Sequence, residues 1–170
     1  MKVTLRYLFL LVFLVGCAGD DDGETECSSR QDVLLDSYYS PQCLIRLVDA
    51  SGENLIENGS IDPETIKIES DLGDPGFVYI PEIEYAEPNS KLSEAQYSLG
   101  VFLLGYTETF QYQISIDGYE TVDLVLQAEQ IEEPCYSYII PVGASVNGEV
   151  LEEIEISEFE LLVVLPLAAQ

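Results

Sequence analysis

Short runs in which apolar and polar residues alternate are the feature that most limits how this 170-residue chain can fold. The clearest run is 110–116, where every second residue is aromatic or β-branched. A period of two places successive side chains on opposite faces of an extended strand, so one face can be buried while the other is solvated. Gly, Pro, Asn and Asp, which are typical of turns, separate the runs. The pattern predicts an all-β domain.

The predicted strands are 43–49, 65–69, 76–80, 97–104, 110–116, 121–126 and 135–142. Asp117-Gly118 lies between two of them and predicts a hairpin. Beyond the turn signal Asn147-Gly148, β-branched residues favour strands, although the apolar residues of this last segment also fit one helical stripe. If it forms strands, the run 161–165 must be covered on both faces, because an exposed apolar edge promotes aggregation.

Several strands at close spacing, without a repeating βαβ pattern, predict a two-sheet antiparallel β-sandwich of immunoglobulin-like or transthyretin-like type. Residues 47–55, with Val48-Asp49 followed by Gly52 and Leu55, resemble the first strand and turn of the small β-sandwich domains of envelope lipoproteins and transporter plugs. Residues 112–120 resemble a later strand and turn of the same domains. The resemblance implies a fold and no particular chemistry.

The first 17 residues resemble the precursor of a bacterial lipoprotein. A short basic start precedes the apolar stretch 8–16, and Cys17 follows Leu14-Val15-Gly16 at its end. The resemblance implies that the mature chain begins at Cys17 and carries palmitate-type acyl chains, of which stable anchoring requires more than one. One alternative is a secretory signal without lipid. The other is a transmembrane helix, which needs about 20 apolar residues, whereas acidic residues begin at Asp20.

Asp20, Asp21 and Asp22 follow the cysteine and resemble the acidic surface-export signal of many lipoproteins of the Bacteroidota. The implied location is the outer membrane, with the domain facing the cell exterior. Alternatives are a solvated linker or a calcium loop, although the ligand pattern of an EF-hand is absent. The predicted organisation is a signal peptide at 1–16, a lipidated cysteine with an acidic flexible tether at 17–32, and a single β-sandwich domain at 33–170.

The formal net charge is −26. Removing 1–16 takes away Lys2 and Arg6, which leaves 32 acidic against 6 − 2 = 4 basic residues, or about −28. Such a field repels phosphate backbones, so the charge excludes nucleic acid as a partner. It favours cations or cationic partners, but a generally acidic extracellular proteome or a saline habitat explains the charge better, because neither needs a specific partner.

Three cysteines remain once Cys17 is lipidated, in a compartment where disulfides persist. Cys43 and Cys135 each begin an apolar run, which predicts a disulfide between them. Cys27 lies in a polar segment. A shorter loop closed by Cys27 and Cys43 is the alternative.

The chain contains no histidine, which removes the commonest general base and most zinc sites. Cys-x-x-Cys, Walker and Rossmann patterns are also missing, so no metal or cofactor is predicted. The acidic region 71–87 could bind calcium or be a solvated connection. Four of the eleven tyrosines, Tyr97, Tyr112, Tyr136 and Tyr138, lie in predicted strands and are expected to pack there rather than bind a ligand.

These observations predict a non-catalytic envelope lipoprotein that acts as a binding or structural module, with an unidentified protein or glycan partner. The alternative is a carboxylate-dependent extracellular hydrolase of glycosidase type, because that chemistry requires two acidic side chains and nothing else. With 32 acidic residues, the sequence does not single out a catalytic pair.

Overall fold

The computed structural model describes residues 41–73, 75–105, 107–133 and 136–170. These ranges contain ten strands: β1 (Gln42–Val48), β2 (Lys67–Ser70), β3 (Val78–Ile80), β4 (Ser98–Phe102), β5 (Thr109–Ser115), β6 (Val122–Glu133), β7 (Tyr136–Val146), β8 (Glu149–Val150), β9 (Glu152–Ser157) and β10 (Glu160–Pro166). They also contain a 3-10 helix (Pro63–Thr65) and one turn of α-helix, α1 (Lys91–Glu94).

The strands form two five-stranded sheets that pack against each other. The first sheet has the order β3-β4-β1-β10-β9, and the second has the order β2-β5-β6-β7-β8. This confirms the predicted all-β, two-sheet sandwich. One pairing corrects the prediction of a purely antiparallel arrangement: β1 and β10 run parallel, with Cys43 opposite Leu161 and Leu47 opposite Leu165. The first and last described strands therefore lie side by side within the first sheet.

The main core lies between the sheets, and the period-two pattern explains its composition. In β5 the burial of Phe110, Tyr112 and Ile114 alternates with the exposure of the residues between them. Residues from both sheets meet in this core, among them Ile45, Leu47, Leu99, Leu124, Leu126 and Val163. Burial of these side chains is the main term that stabilises the sandwich.

A second, smaller cluster lies on the outer face of the first sheet. Leu44 of β1 and Leu162 of β10 point away from the main core and pack with Ala95, which directly follows α1. The side chain of Ser90 accepts a hydrogen bond from the Ser93 amide (3.1 Å) and caps the start of α1. The apolar run 161–165 is thus packed on both faces, as its sequence requires.

The two hairpin regions agree with their turn signals. β5 and β6 pair in an antiparallel ladder from Thr109 opposite Gln127 to Ile114 opposite Val122, which confirms the hairpin predicted at Asp117-Gly118. The segment after Asn147 forms β8, β9 and β10, which confirms strands rather than a helix.

The hairpin of β6 and β7 is longer than the sequence predicts. Its ladder continues to Glu133 opposite Tyr136, past a bulge between Gln127 and Ala128. Alanine and glutamate are depleted from strands. Because residues 128–133 contain both, the sequence did not predict that the strand continues through them. Beyond Ala128, whose amide donates to the Glu108 oxygen (2.9 Å), the strand pairings of β6 in the described part of the chain are with β7.

Asp49 closes the turn after β1. Its Oδ1 accepts hydrogen bonds from the Ser51 hydroxyl (2.7 Å) and from the amides of Ser51 (2.8 Å) and Glu53 (2.9 Å). These bonds favour the ionised form, so they lower the pKa of Asp49, with the Ser51 hydroxyl as the largest cause. Gly52 adopts a φ of 85°, which favours glycine at this point of the turn.

All described residues belong to one compact unit, Tyr38–Gln170. The predicted domain boundary at residue 33, the signal peptide and the tether lie outside the described residues. No helix within the described ranges is long and apolar enough to cross a membrane.

Candidate functional site

A polar cleft of about 560 Å³ lies where the end of β1 meets the chain around α1. We call it the acidic cleft. It is lined by Arg46, Gly52, Glu53, Asn54, Glu57, Glu82, Ser93, Glu94, Gln96 and Tyr97. Four glutamates from three separate segments of the chain therefore share one concave surface.

Arg46 is the basic residue of the cleft, and it is held by α1. Its Nη2 forms an ion pair with Glu94 Oε2 (2.8 Å) and also donates to the main-chain oxygen of Glu94. The Arg46 side chain is 20% exposed and that of Glu94 39% exposed. Arg46 therefore makes two bonds to Glu94, and both are partly shielded from solvent. Together they link β1 to α1 with a defined geometry.

Asn54 connects two walls of the cleft. It is buried, and its Nδ2 donates to the main-chain oxygen of Tyr97 (3.2 Å). Its Oδ1 accepts from the amides of Ile56 (3.0 Å) and Glu57 (3.2 Å). A buried amide with partners on both ends orders the surrounding loop, since loss of any partner would leave a buried polar atom unsatisfied.

Tyr97 has an unusual backbone conformation for a large residue. Its φ is 54°, in the left-handed region that costs free energy for a side chain with a Cβ. Its amide donates to the Ile80 oxygen (2.8 Å), which fixes this conformation. Partial burial raises the pKa of Tyr97, and the nearby charge of Glu82 and a hydrogen bond to it raise the pKa further.

Gln96 joins the remaining wall to α1. Its Oε1 accepts from the Ile83 amide (2.9 Å), and its Nε2 donates to the Ser93 oxygen (3.1 Å). Internal hydrogen bonds of Asn54 and Gln96 thus hold the walls of the cleft in place. Chemically it suits a cationic group or a hydrogen-bond donor, because three exposed glutamates, Glu53, Glu57 and Glu82, face it beside the Tyr97 hydroxyl.

The predicted lipidation and export residues, Cys17 and Asp20, Asp21 and Asp22, lie outside the described residues. Cys27 and Cys135 also lie outside them. Cys43 is described, and it carries a free thiol that is fully buried in the main core. Its Sγ lies 3.8 Å from the Leu44 oxygen.

The structure therefore does not show the predicted bridge from Cys43 to Cys135. The Cys43 side chain shares the inward face of β1 with Ile45 and Leu47, so it packs as a small apolar group. Burial raises the pKa of the Cys43 thiol strongly, and the charge of Glu153 adds to this, so the nucleophilic thiolate is disfavoured.

The acidic region 71–87 does not converge on one point. Glu82 lines the acidic cleft, whereas Asp71 borders a groove on the outer face of the second sheet, and Asp74 lies outside the described residues. Among the described residues, no group of three or more acidic or cysteine side chains is arranged to bind a metal ion.

Sequence analysis did not single out the residues that build the cleft. Arg46, Asn54 and Glu94 are ordinary members of a strand, a turn and a helix, and their contacts span 43 to 48 positions of the chain. Tyr97 was predicted to begin a strand, but its left-handed φ places it just before β4. Tyr112 is buried in the core, as predicted.

A scan against protein-family models, a search of curated proteins and a search of solved structures found no match to this chain.

Proposed function

We propose that this chain is a lipid-anchored, surface-exposed envelope lipoprotein whose β-sandwich acts as a non-catalytic binding or structural module. The observation that carries the proposal is the position of Cys17, directly after Leu14-Val15-Gly16 and the apolar stretch 8–16. A cysteine at the end of such a stretch is the pattern of a lipoprotein signal. The acidic residues after it support export to the cell surface.

The surface chemistry of the domain supports a binding role. Each described aspartate and glutamate is exposed or half-buried, so the acidic side chains form a surface that faces solvent. In the acidic cleft, internal hydrogen bonds and the Arg46–Glu94 ion pair order the walls before a ligand arrives. Preorganisation of this kind lowers the entropic cost of binding.

The anchor is tested by metabolic labelling with an alkyne palmitate analogue, followed by mass spectrometry of the N-terminal peptide. We expect label on Cys17 and a mature chain that begins there. Cys17→Ser should abolish labelling, whereas the matched variant Cys27→Ser should retain it. Label that persists in Cys17→Ser, or an unmodified N-terminus at another residue, contradicts the proposed anchor.

Surface exposure is tested separately by adding protease to intact cells. Replacing Asp20, Asp21 and Asp22 by Ala should leave labelling of Cys17 intact and make the domain resistant to external protease, because the chain then stays in the inner leaflet of the outer membrane. If the variant remains accessible, the three aspartates are a solvated linker.

A second candidate function is a glycosidase-type hydrolase, and the acidic cleft is the observation that favours it. Such enzymes place two carboxyl groups about 5 to 10 Å apart on either side of the scissile bond, and Glu53, Glu57 and Glu82 line the same cleft. Their exposure disfavours this candidate, since a general acid usually requires a pKa raised by burial or by a close like charge.

A panel of aryl glycosides, incubated with the purified chain, distinguishes the two functions. The binding module predicts no turnover above that of Glu57→Gln and Glu82→Gln. Turnover that falls by about 10²-fold or more in either amide variant, and that survives in the control Glu129→Gln on the distant hairpin, would replace the module by the hydrolase.

A further inference from the structure

The chain between β3 and β4 forms a loop whose two ends are joined. The Tyr97 amide donates to the Ile80 oxygen (2.8 Å), and next to this bond the Ile83 amide donates to Oε1 of Gln96 (2.9 Å). A compact surface loop whose ends lie close together is an Ω-loop. We call residues 81–96, which include α1, the covering loop. Because its two ends meet at one place, the loop can move without breaking a strand pairing.

The covering loop lies over the outer face of the first sheet. Leu44 of β1 and Leu162 of β10 point toward that face, and both are fully buried. Ala95 of the covering loop packs with them. Outward-facing side chains of a two-sheet sandwich ordinarily meet water, so these two leucines are dry because the loop covers them.

The covering loop buries little of itself. Ala95 is its only buried residue, whereas Tyr85 is 82% exposed and Leu92 is 40% exposed. In the described part of the chain, the main-chain hydrogen bonds of 82–95 stay within the loop, as from the Ala95 amide to the Lys91 oxygen (3.3 Å). A segment with few buried apolar contacts opens at a lower cost in free energy than strands in a core.

Both ion pairs among the described residues attach the covering loop to the first sheet. Glu94 pairs with Arg46 of β1 (2.8 Å), and Lys91 pairs with Glu155 of β9 (3.3 Å). The described ranges contain one other basic residue, Lys67 on the second sheet. The covering loop carries three further glutamates. Repulsion from the acidic sandwich therefore opposes the two ion pairs.

We propose that the covering loop opens as a unit about Ile80 and Tyr97 while both sheets stay folded, and that the two ion pairs set the fraction of molecules in which it is open. This conformational device does not depend on lipid at Cys17 or on the ligand of the acidic cleft. It can therefore fail while the proposed function stands.

Opening of the covering loop takes the acidic cleft apart. Half of the cleft lies on the loop and its hinge, namely Glu82, Ser93, Glu94, Gln96 and Tyr97, and the rest lies on β1 and the chain after it. A ligand that touches both walls binds the closed loop alone. Such a ligand holds the loop shut by mass action, and the open fraction lowers its apparent affinity.

Native-state hydrogen exchange tests whether the loop opens independently. The detergent-solubilised full chain is exchanged in urea concentrations below the unfolding transition and analysed by mass spectrometry. One turn of helix is not stable alone in water, so peptide 81–96 should exchange whenever the loop leaves the sheet. Its rate should depend little on urea, because local opening exposes little surface. Exchange of 81–96 at the rate and urea dependence of β1 and β10 would overturn the proposal.

Charge-neutralising variants test the ion pairs. Lys91→Gln and Glu155→Gln break the same exposed pair while changing the net charge in opposite directions, and each should speed exchange of 81–96 by about two- to fivefold. Arg46→Gln removes two partly shielded bonds and should speed it by about tenfold. The matched control Lys67→Gln removes the same charge as Lys91→Gln and should leave 81–96 unchanged. If Lys91→Gln acts like Lys67→Gln and Glu155→Gln slows exchange, net charge and not the pairs controls the loop.

Alkylation by iodoacetamide reports directly on the covered face. The thiol introduced by Leu162→Cys lies beneath the covering loop, and Cys43 in the main core is the control within the same molecule. The introduced thiol should react faster than Cys43, and Arg46→Gln should widen that difference. Circular dichroism and the exchange of β5 show whether each variant remains folded. Equal rates for the two thiols in a folded variant would mean that the leucine face is uncovered by global unfolding alone, which contradicts an independently opening loop.

Discussion

The phenol of Tyr112 links the two sheets at the level of a single residue. It lies in the main core on β5, and its hydroxyl donates to the main-chain oxygen of Phe102 at the end of β4 (3.2 Å). Burial is the main cause that raises the pKa of Tyr112 to about 12, and the negative charge of Asp71 adds to it. The phenol therefore stays neutral, and keeps its donor proton, above the pH at which tyrosine ordinarily ionises.

Tyr112→Phe should lower the free energy of unfolding by about 1 kcal/mol at pH 7, because the Phe102 oxygen loses its donor. The pH dependence gives a second readout. In the parent chain the folded state holds the proton more tightly than the unfolded state, so stability is intact below about pH 10 and falls as pH rises toward about 12. The variant should show a smaller decrease, because the contribution of Tyr112 is gone while those of Tyr97 and Cys43, whose pKa values are also raised, remain.

Urea denaturation at neutral and alkaline pH measures both effects. Tyr85→Phe is the matched control, because Tyr85 is 82% exposed and should change neither value. Parallel pH profiles of Tyr112→Phe and the parent chain would contradict the assigned role of the phenol.

Prediction from sequence was weakest for single residues with long-range partners. Asn54 lies just after the turn that follows β1, in a bridge with Val48, but its hydrogen bond to Tyr97 links two segments whose contact depends on sheet order. Tyr97 adopts a left-handed φ, held by the hydrogen bond from its main-chain N–H to the Ile80 oxygen, despite the β preference of tyrosine. The position of Cys43 on the inward face of β1, where it packs as a core residue, was also not predicted.

At the scale of strands, local signals predicted most of the elements. Alternation identified β5, and Asp117-Gly118 correctly joined β5 to β6, because side-chain period and turn chemistry are local properties. The parallel pairing of β1 with β10 could not be predicted in this way. The two strands are neighbours in the sheet, but almost the whole sequence of the domain lies between them. The extension of β6 to Glu133 was also missed, because its pairing partner β7 stabilises residues that have little strand preference of their own.

Two substitutions in β10 test whether the chain around α1 covers the outer face of the first sheet. Leu162 of β10 is fully buried beneath the chain around α1, whereas Val164, two residues along on the same face, is half-buried. Leu162→Ala should cost about 2 to 5 kcal/mol of unfolding free energy, because it removes buried methyl groups and leaves a cavity. Val164→Ala should cost clearly less, since part of its side chain is already hydrated. Chemical denaturation measures both, and equal losses would show that the chain around α1 does not cover this face.

Across the whole molecule, the dominant property is unbalanced negative charge. The chain has 32 acidic and 6 basic residues, and the two described ion pairs use one arginine and one lysine. Most described acidic side chains therefore have no cation nearby and repel one another through solvent. The unfolded chain separates these charges more widely, so self-repulsion opposes the compact state.

Salt should therefore stabilise this domain. Raising ionic strength from about 0.01 M to about 0.15 M shortens the Debye length from about 30 Å to about 8 Å, and we expect the thermal midpoint to rise over that range. Neutralising the end of β6 by Glu129→Gln, Glu132→Gln and Glu133→Gln should raise the midpoint at low salt and reduce its dependence on salt, because these exposed side chains lie close together on one strand. Scanning calorimetry measures both quantities.

Sucrose in place of salt is the control for solvent exclusion, which acts without screening charge. A midpoint that does not respond to salt in the parent chain, or that responds equally in the triple variant, would show that self-repulsion has little influence on the stability of the sandwich.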